Sequence, residues 1–229
     1  MIQVNESQDQ LNQQKAQAIP DEIPLSVYLQ WPFIKMGRSV KSMVSGYKKL
    51  FMLDGEDLKT MYLKKARAAD IRGENVKCIK FMQILASKYP DDVDIHYQLG
   101  LAYEKAAQFG AAKQAYIKTS QINPKFVKAH YRSGIIFIRE REFKQAIAAL
   151  DKARQLDPLS AEIQFRLGQA HDRIKDYEKA ISHFEQAVKL NPSFIQAYKN
   201  MALTYDSMDD HKKALDCLKR VLELEEAGA

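Results

Sequence analysis

The chain has 229 residues, 46% of them hydrophobic, which is enough to bury a sizeable core in one or two domains or in one elongated array. Its 35 Lys and Arg against 29 Asp and Glu give a net charge of +6, which favours solubility and is weak evidence for nucleic acid binding. The two cysteines, Cys78 and Cys217, lie far apart, which excludes a disulfide framework and a zinc module with ordinary ligand spacing. We expect a reducing compartment.

The first 24 residues are rich in Gln, Asn and Asp, and this composition predicts a flexible polar tail. The opening stretch carries neither the basic nor the apolar region of a signal peptide. The chain also has no apolar run of roughly 18 residues, the length that crosses a bilayer. We therefore expect a soluble, cytosolic protein.

Residues 25–56 contain an amphipathic helical pattern with five basic residues and two acidic ones. Three interpretations stay open. The helix caps the first unit of the fold, lies in the plane of a membrane, or enters a neighbouring copy and drives self-assembly. The apolar residues of this stripe are Val40, Met43, Val44, Tyr47, Leu50 and Phe51.

The rest of the chain repeats with a period of 34 residues. A degenerate unit occupies residues 57–90, and further units occupy residues 91–124, 125–158, 159–192 and 193–229. The pattern in each unit predicts two helices, because apolar residues recur at helical spacing on either side of a short turn. A proline then ends the second helix. The positions that mark the period are Pro90, Pro124, Pro158 and Pro192, with Gly100, Gly134, Gly168 and Ala202.

These units resemble tetratricopeptide repeats (TPRs), which place small residues, aromatics, an alanine and a proline at fixed offsets. The small residue of the first helix is a glycine or alanine, and the second-helix alanine is replaced by Cys78 in the degenerate unit. The resemblance implies an all-α, right-handed solenoid of about five repeats, with residues 25–56 as a partial N-terminal one. The second-helix alanines are Ala112, Ala146, Ala180 and Ala214.

The stretch from Phe165 to Ala180 places His171 beside several charged residues, as an active site would. His171 nevertheless occupies a repeat position that holds Tyr103, Phe137 or Tyr205 in other units, which favours a packing role. The sequence shows no phosphate loop, nucleophile elbow or metal-ligand spacing. We expect a protein that is not an enzyme and that has no cofactor or metal.

Two ladders of residues, one period apart, predict a peptide-binding groove on the first helices. Aromatic and basic side chains together suit an acidic or amphipathic peptide. The alternative is that Glu104, Glu162 and Asp172 neutralise the bases and leave a solvated face. The aromatic ladder is Tyr97, Tyr131 and Phe165, the basic ladder is Lys105, Arg139 and Arg173, and Arg132 with Arg166 adds a shorter pair.

The order of elements is also similar to that of magnetosome-associated TPR proteins, over "MVSGYKKLFML", "DVDIHYQLGLAYEKA", "FRLGQAHDRIKDYEKAISHF" and "ALTYDSMDDHKKAL". This similarity implies a scaffold that assembles with itself through its N-terminal segment, surrounds the magnetosome vesicle and recruits other magnetosome proteins. It also implies peripheral attachment to the cytoplasmic face of the magnetosome membrane through protein partners. A monomeric adaptor that binds a peptide in its groove is the alternative.

Two further expectations concern the last repeat and the charge distribution. Leu215, Leu222 and Leu224 have no following repeat in the sequence to cover them, which favours association. We expect no nucleic acid partner, because the basic residues are interspersed with acidic ones and form no continuous stripe.

Overall fold

The structure is a computed structural model that describes residues 55–228. All regular structure in that range is helical. The expectations for the polar tail and for the apolar stripe from Val40 to Phe51 concern residues outside it. The helices are α1 (Gly55–Ile71), α2 (Asn75–Lys88), α3 (Val93–Lys105), α4 (Phe109–Ile122), α5 (Val127–Arg139), α6 (Phe143–Leu156), α7 (Ala161–Arg173), α8 (Tyr177–Leu190), α9 (Ile195–Ser207) and α10 (His211–Gly228).

Each helix packs against the helices before and after it in the chain, so consecutive pairs form helical hairpins. Among the first helices of the hairpins, α7 also contacts α5 and α9. This nearest-neighbour packing is the arrangement of a solenoid, in which each repeat buries its apolar face against the next. The prediction of an all-α solenoid of helical hairpins is confirmed.

The glycine of the first helix lets the two helices of a hairpin approach closely. A methyl group on Gly100 would lie 2.4 Å from the ring of Tyr116, and one on Gly168 would lie 2.5 Å from the ring of Phe184. Both distances are far inside van der Waals contact, so the large residue on the second helix fills the space that the glycine leaves. Sequence spacing alone predicted this role for the glycine.

The turn inside each hairpin is a Schellman motif, in which two backbone bonds satisfy the last carbonyls of the first helix. In the fourth hairpin the N–H of Lys175 donates to Asp172 and the N–H of Asp176 donates to His171, at 2.9 and 3.0 Å. The motif needs one residue with positive φ in each turn. Those residues are Gly73, Ala107, Arg141, Lys175 and Asp209, at φ between 56° and 69°.

At two junctions between repeats, a histidine of the next helix contacts the proline carbonyl. A ring nitrogen of His96 lies 2.9 Å from the carbonyl oxygen of Pro90, and His130 has the same contact with Pro124. These two histidines therefore hold the entry to their helices.

The alanine position of the second helix lies at the centre of each hairpin. Ala112, Ala146 and Ala180 are fully buried, and Cys78 takes the same place in the first hairpin with 6% of its surface exposed. Burial raises the pKa of the Cys78 thiol, so it behaves as a small apolar side chain.

Candidate peptide-binding groove

A groove of about 760 Å³ lies along the first helices of the first two hairpins and reaches Arg132 on α5. Its floor is apolar, because α1 and α3 each present a small residue next to a larger one along this surface. The floor residues include Leu63, Ala66, Leu101 and Ala102, with Met82 of α2 beneath them. A surface of this kind accepts an apolar side chain from a guest.

Two ion pairs stand beside this floor. Lys105 of α3 donates to both carboxylate oxygens of Asp70 of α1, at 2.6 and 2.7 Å. Glu104 accepts from Arg132 at 3.1 Å and from the hydroxyl of Tyr116 at 2.7 Å. Burial and the neighbouring Glu104 raise the pKa of Tyr116, so its hydroxyl stays a proton donor. The two ion pairs join one hairpin to the next, and the Tyr116 bond joins the two helices of the second hairpin.

Lys64 and Arg67 of α1 are the cations of the groove that form no ion pair with any described residue. They lie one helical turn apart, and both side chains are exposed. Since the other charges of the groove are matched in pairs, these two leave it with a positive edge. A guest that carries carboxylates beside apolar residues matches both features.

Lys64 occupies the repeat position of Arg132, and neither predicted ladder included it. It lies 34 residues before Gln98, which lies 34 residues before Arg132, and all three line the groove. The degenerate character of the first unit hid this equivalence. Extending the period of the repeat through that unit is the signal that finds Lys64.

The aromatic ladder packs between repeats instead of lining an open surface. The ring of Tyr97 lies 5.1 Å from that of Phe126, and the ring of Phe165 lies 4.9 Å from that of Phe194. Phe165 is only 4% exposed, so its prediction as a groove residue is wrong. Tyr131 is half-buried and donates to Glu162 at 3.0 Å.

The basic positions divide into three groups. Arg132 and Arg166 are each paired with a glutamate, Arg166 with Glu162 at 2.9 Å, as the neutralised alternative predicted. Arg139 is exposed, and its guanidinium lies 3.7 Å from the ring centroid of Phe109. Arg173 is exposed, and its part in binding stays a prediction.

Asp172 and the histidine near it have packing roles. The hydroxyl of Thr204 donates to Asp172 at 2.9 Å, so this carboxylate joins α7 to α9, and it pairs with no arginine among residues 55–228. His171 is buried, stacks on His183 with ring centroids 5.3 Å apart, and lies 3.2 Å from Asp176. Within residues 55–228, no group of three or more His, Cys, Asp or Glu side chains is placed to hold a metal ion.

No helix among the described residues is both long and apolar enough to cross a membrane.

The sequence predicted three exposed leucines on the last helix, and two of them are exposed. Leu215 and Leu222 are 52% and 58% exposed, whereas Leu224 is half-buried.

Comparison with known proteins agrees with this architecture. Family models described as tetratricopeptide repeat match residues 97–159, 131–193 and 195–226, which together span more than half of the chain. No curated protein sequence matches significantly.

Solved structures of MamA are similar to the chain. One MamA crystal structure is 24% identical with a TM-score of 0.72, and the match covers 75% of this chain and 93% of that one. MamA from Desulfovibrio magneticus RS-1, from residue 41 to its end, is 25% identical with a TM-score of 0.72 and coverage of 75% and 97%. MamA AMB-1 is 26% identical with a TM-score of 0.65 and coverage of 73% and 99%. The resemblance seen in the order of the sequence elements is thus found again in the fold.

Proposed function

Because the chain belongs to the tetratricopeptide repeat family, we propose that it is a noncatalytic scaffold that binds other proteins and assembles with copies of itself around the magnetosome vesicle. The repeats form a protein-interaction module. The likeness to MamA supports the magnetosome as its place of action, since MamA is the magnetosome-associated protein that the sequence order resembles. In this proposal the protein lies peripherally on the cytoplasmic face of the magnetosome membrane and recruits other magnetosome proteins.

The groove carries the proposal of protein binding. Its apolar floor lies next to two exposed cations without ion-pair partners in the described chain, Lys64 and Arg67. A peptide with acidic and apolar residues buries the floor and pairs with both cations. The paired Asp70 and Lys105 would fix the orientation of the bound peptide, because a peptide carboxylate can approach Lys105 and a peptide amide can donate to Asp70.

Charge reversal tests the groove. In the full chain, Lys64→Glu with Arg67→Glu should weaken binding of a labelled peptide of alternating Leu and Glu by about 10- to 30-fold, because two attractions become repulsions. Fluorescence anisotropy measures the affinity, and rising salt should reduce the difference.

Lys144→Glu with Lys152→Glu is the matched control. Both lysines are exposed on α6, away from the groove lining, and the pair changes the net charge equally. This control should bind the peptide nearly as well as the unchanged chain. Equal weakening in both double variants would show that net charge, and no particular groove, attracts the peptide.

Self-assembly is supported by the amphipathic pattern between Val40 and Phe51. An apolar stripe with basic flanks fits a complementary surface on a second copy, and such a heterologous contact repeats without closing. This part of the proposal requires that Tyr47→Asp with Leu50→Asp abolish the large particle in sedimentation velocity.

A monomeric adaptor is the second candidate. The observation that favours it is that the apolar floor and the exposed cations Lys64 and Arg67 lie on two adjacent hairpins, which suits binding of a peptide by a single chain. A full chain that sediments as a monomer and still binds the acidic peptide would select this candidate.

A further inference from the structure

The last described helix, α10, has one buried face and one exposed apolar face. Ala214 and Val221 are buried, with 7% and 5% of their surface exposed. Leu215, Leu218 and Leu222 are 52%, 45% and 58% exposed. Their spacing of three and four residues places the three leucines in one stripe.

The preceding repeat shows what this stripe normally meets. Ile181 and Phe184 lie one period before Leu215 and Leu218, and they are only 8% and 0% exposed. They belong to a cluster with Ala197 and Met201 of α9, the helix that follows. None of the described elements covers α10 in that way, so the stripe offers the surface on which a further helix packs.

The charges beside the stripe are divided along the helix. Residues 212–220 carry four bases, Lys212, Lys213, Lys219 and Arg220, against the single acid Asp216, while the last two turns carry Glu223, Glu225 and Glu226 and no base. Acidic residues at a helix C-terminus face the negative end of the helix dipole, which is unfavourable without a positive partner. Glu223 has such a partner in Arg220, and Glu225 has one in Lys199 of α9. Lys212 and Glu226 form no ion pair with any residue from 55 to 227.

We propose that this face pairs with the same face of a second copy, α10 against α10 in antiparallel orientation. A two-fold axis near Leu218 then places Leu215 of each copy beside Leu222 of the other. Lys212 and Glu226 are 14 positions apart, about 21 Å along the helix, and are equally distant from residue 219. The same axis therefore brings Lys212 of one copy to Glu226 of the other, twice.

A second copy fits the charges of α10 better than the basic segment of residues 25–56 does. A basic helix matches Glu226 but meets repulsion from Lys212, whereas Glu225 and Lys213 are already paired with Lys199 and Asp210. An antiparallel α10 matches both halves and also opposes the two helix dipoles. The contact is isologous, so it closes at a dimer, and it does not depend on the proposed function.

The test uses the full chain with Tyr47→Asp and Leu50→Asp, so that assembly through the N-terminal segment cannot mask the dimer. Sedimentation equilibrium should show a reversible monomer–dimer equilibrium. Leu222→Glu should weaken it more than about tenfold, because a carboxylate would enter the apolar stripe. Leu159→Glu is the matched control, since Leu159 is 76% exposed outside α10, and it should leave the dimer constant unchanged.

A charge exchange tests the antiparallel orientation. Lys212→Glu should weaken the dimer about three- to tenfold, and adding Glu226→Lys in the same chain should restore it. A strictly monomeric parent, no effect of Leu222→Glu, or no restoration by the exchange would each overturn the proposal. If instead Tyr47→Asp with Leu50→Asp leaves a large particle, assembly through the N-terminal segment is wrong, and the α10 variants still report on their own contact.

Discussion

At the scale of single residues, the turn within each hairpin shows a sequence that only partly suits its backbone. Five turns one period apart require a residue with positive φ, and only Gly73 is a glycine. A side chain in this region costs roughly 1–2 kcal/mol, because its Cβ approaches the following carbonyl. Ala107 carries this strain without compensation from packing, since its side chain is exposed.

Ala107→Gly should therefore stabilise the protein by about 0.5–1 kcal/mol, the strain relieved less the extra entropy of an unfolded glycine. The midpoint of urea unfolding measures the change. Gly73→Ala is the reverse control, because φ at Gly73 is 69° and no atom lies within 4 Å of an added Cβ. It should destabilise by a similar amount. A shift of the same sign in both variants would contradict the argument.

At the scale of elements, a stacked histidine pair joins α7 to α8. His183 lies 2.9 Å from Gln164, and His171 lies 3.2 Å from Asp176. The pKa of His183 is lowered to about 4, first by burial and then by His171 and by Arg154 of α6. Asp151 of α6 and Asp176 act in the opposite direction. The neutral imidazole is therefore the form that the packing stabilises.

This packing makes stability depend on pH. The folded pKa of His183 lies below its unfolded value of 6.5, so the unfolded chain binds more protons between about pH 6.5 and 4. The free energy of unfolding should fall as the pH drops through that window, by about 1–2 kcal/mol from this group after allowance for its partial exposure.

Urea unfolding of the unchanged chain and of His183→Gln at pH 7 and pH 5 measures this dependence. The variant should lose part of the difference between the two pH values. His211→Gln is the control, because His211 is exposed and its ring pairs with Asp206 outside the core. A pH dependence of equal size in all three proteins would show that His183 does not carry it.

The period of 34 predicted the hairpins, the close approach at Gly100 and Gly168, and the packing role of His171. It did not predict which side of a first helix faces the groove, because residues one period apart share a face whether that face meets a guest or the next repeat. Phe165 was assigned to the groove for this reason, although it packs on Phe194. Lys64 was missed because the period was not extended through the degenerate first unit. The period also does not show that Lys64 stays unpaired, since side-chain contacts between hairpins decide that.

At the scale of the whole molecule, the proposed contacts differ in symmetry. A heterologous contact through the segment from Val40 to Phe51 extends without limit, whereas an isologous contact through α10 closes at two copies. In the proposal, the two contacts together would join extended assemblies in pairs, and the groove with Lys64 and Arg67 would serve the binding of other proteins.

Sedimentation velocity separates the two contacts. The full chain should form a large particle, and Tyr47→Asp with Leu50→Asp should reduce it to a dimer, because charges replace the apolar residues that extend the assembly. Adding Leu222→Glu to that variant should give a monomer, and Leu222→Glu alone should leave an assembly smaller than that of the unchanged chain. Lys48→Asp with Lys49→Asp is a control for charge in the same segment, because both lysines lie outside the apolar stripe. This double variant should still form a large particle at high salt. An unchanged particle in the Tyr47 and Leu50 variant would remove the N-terminal segment from the assembly, and a monomeric full chain would select the adaptor.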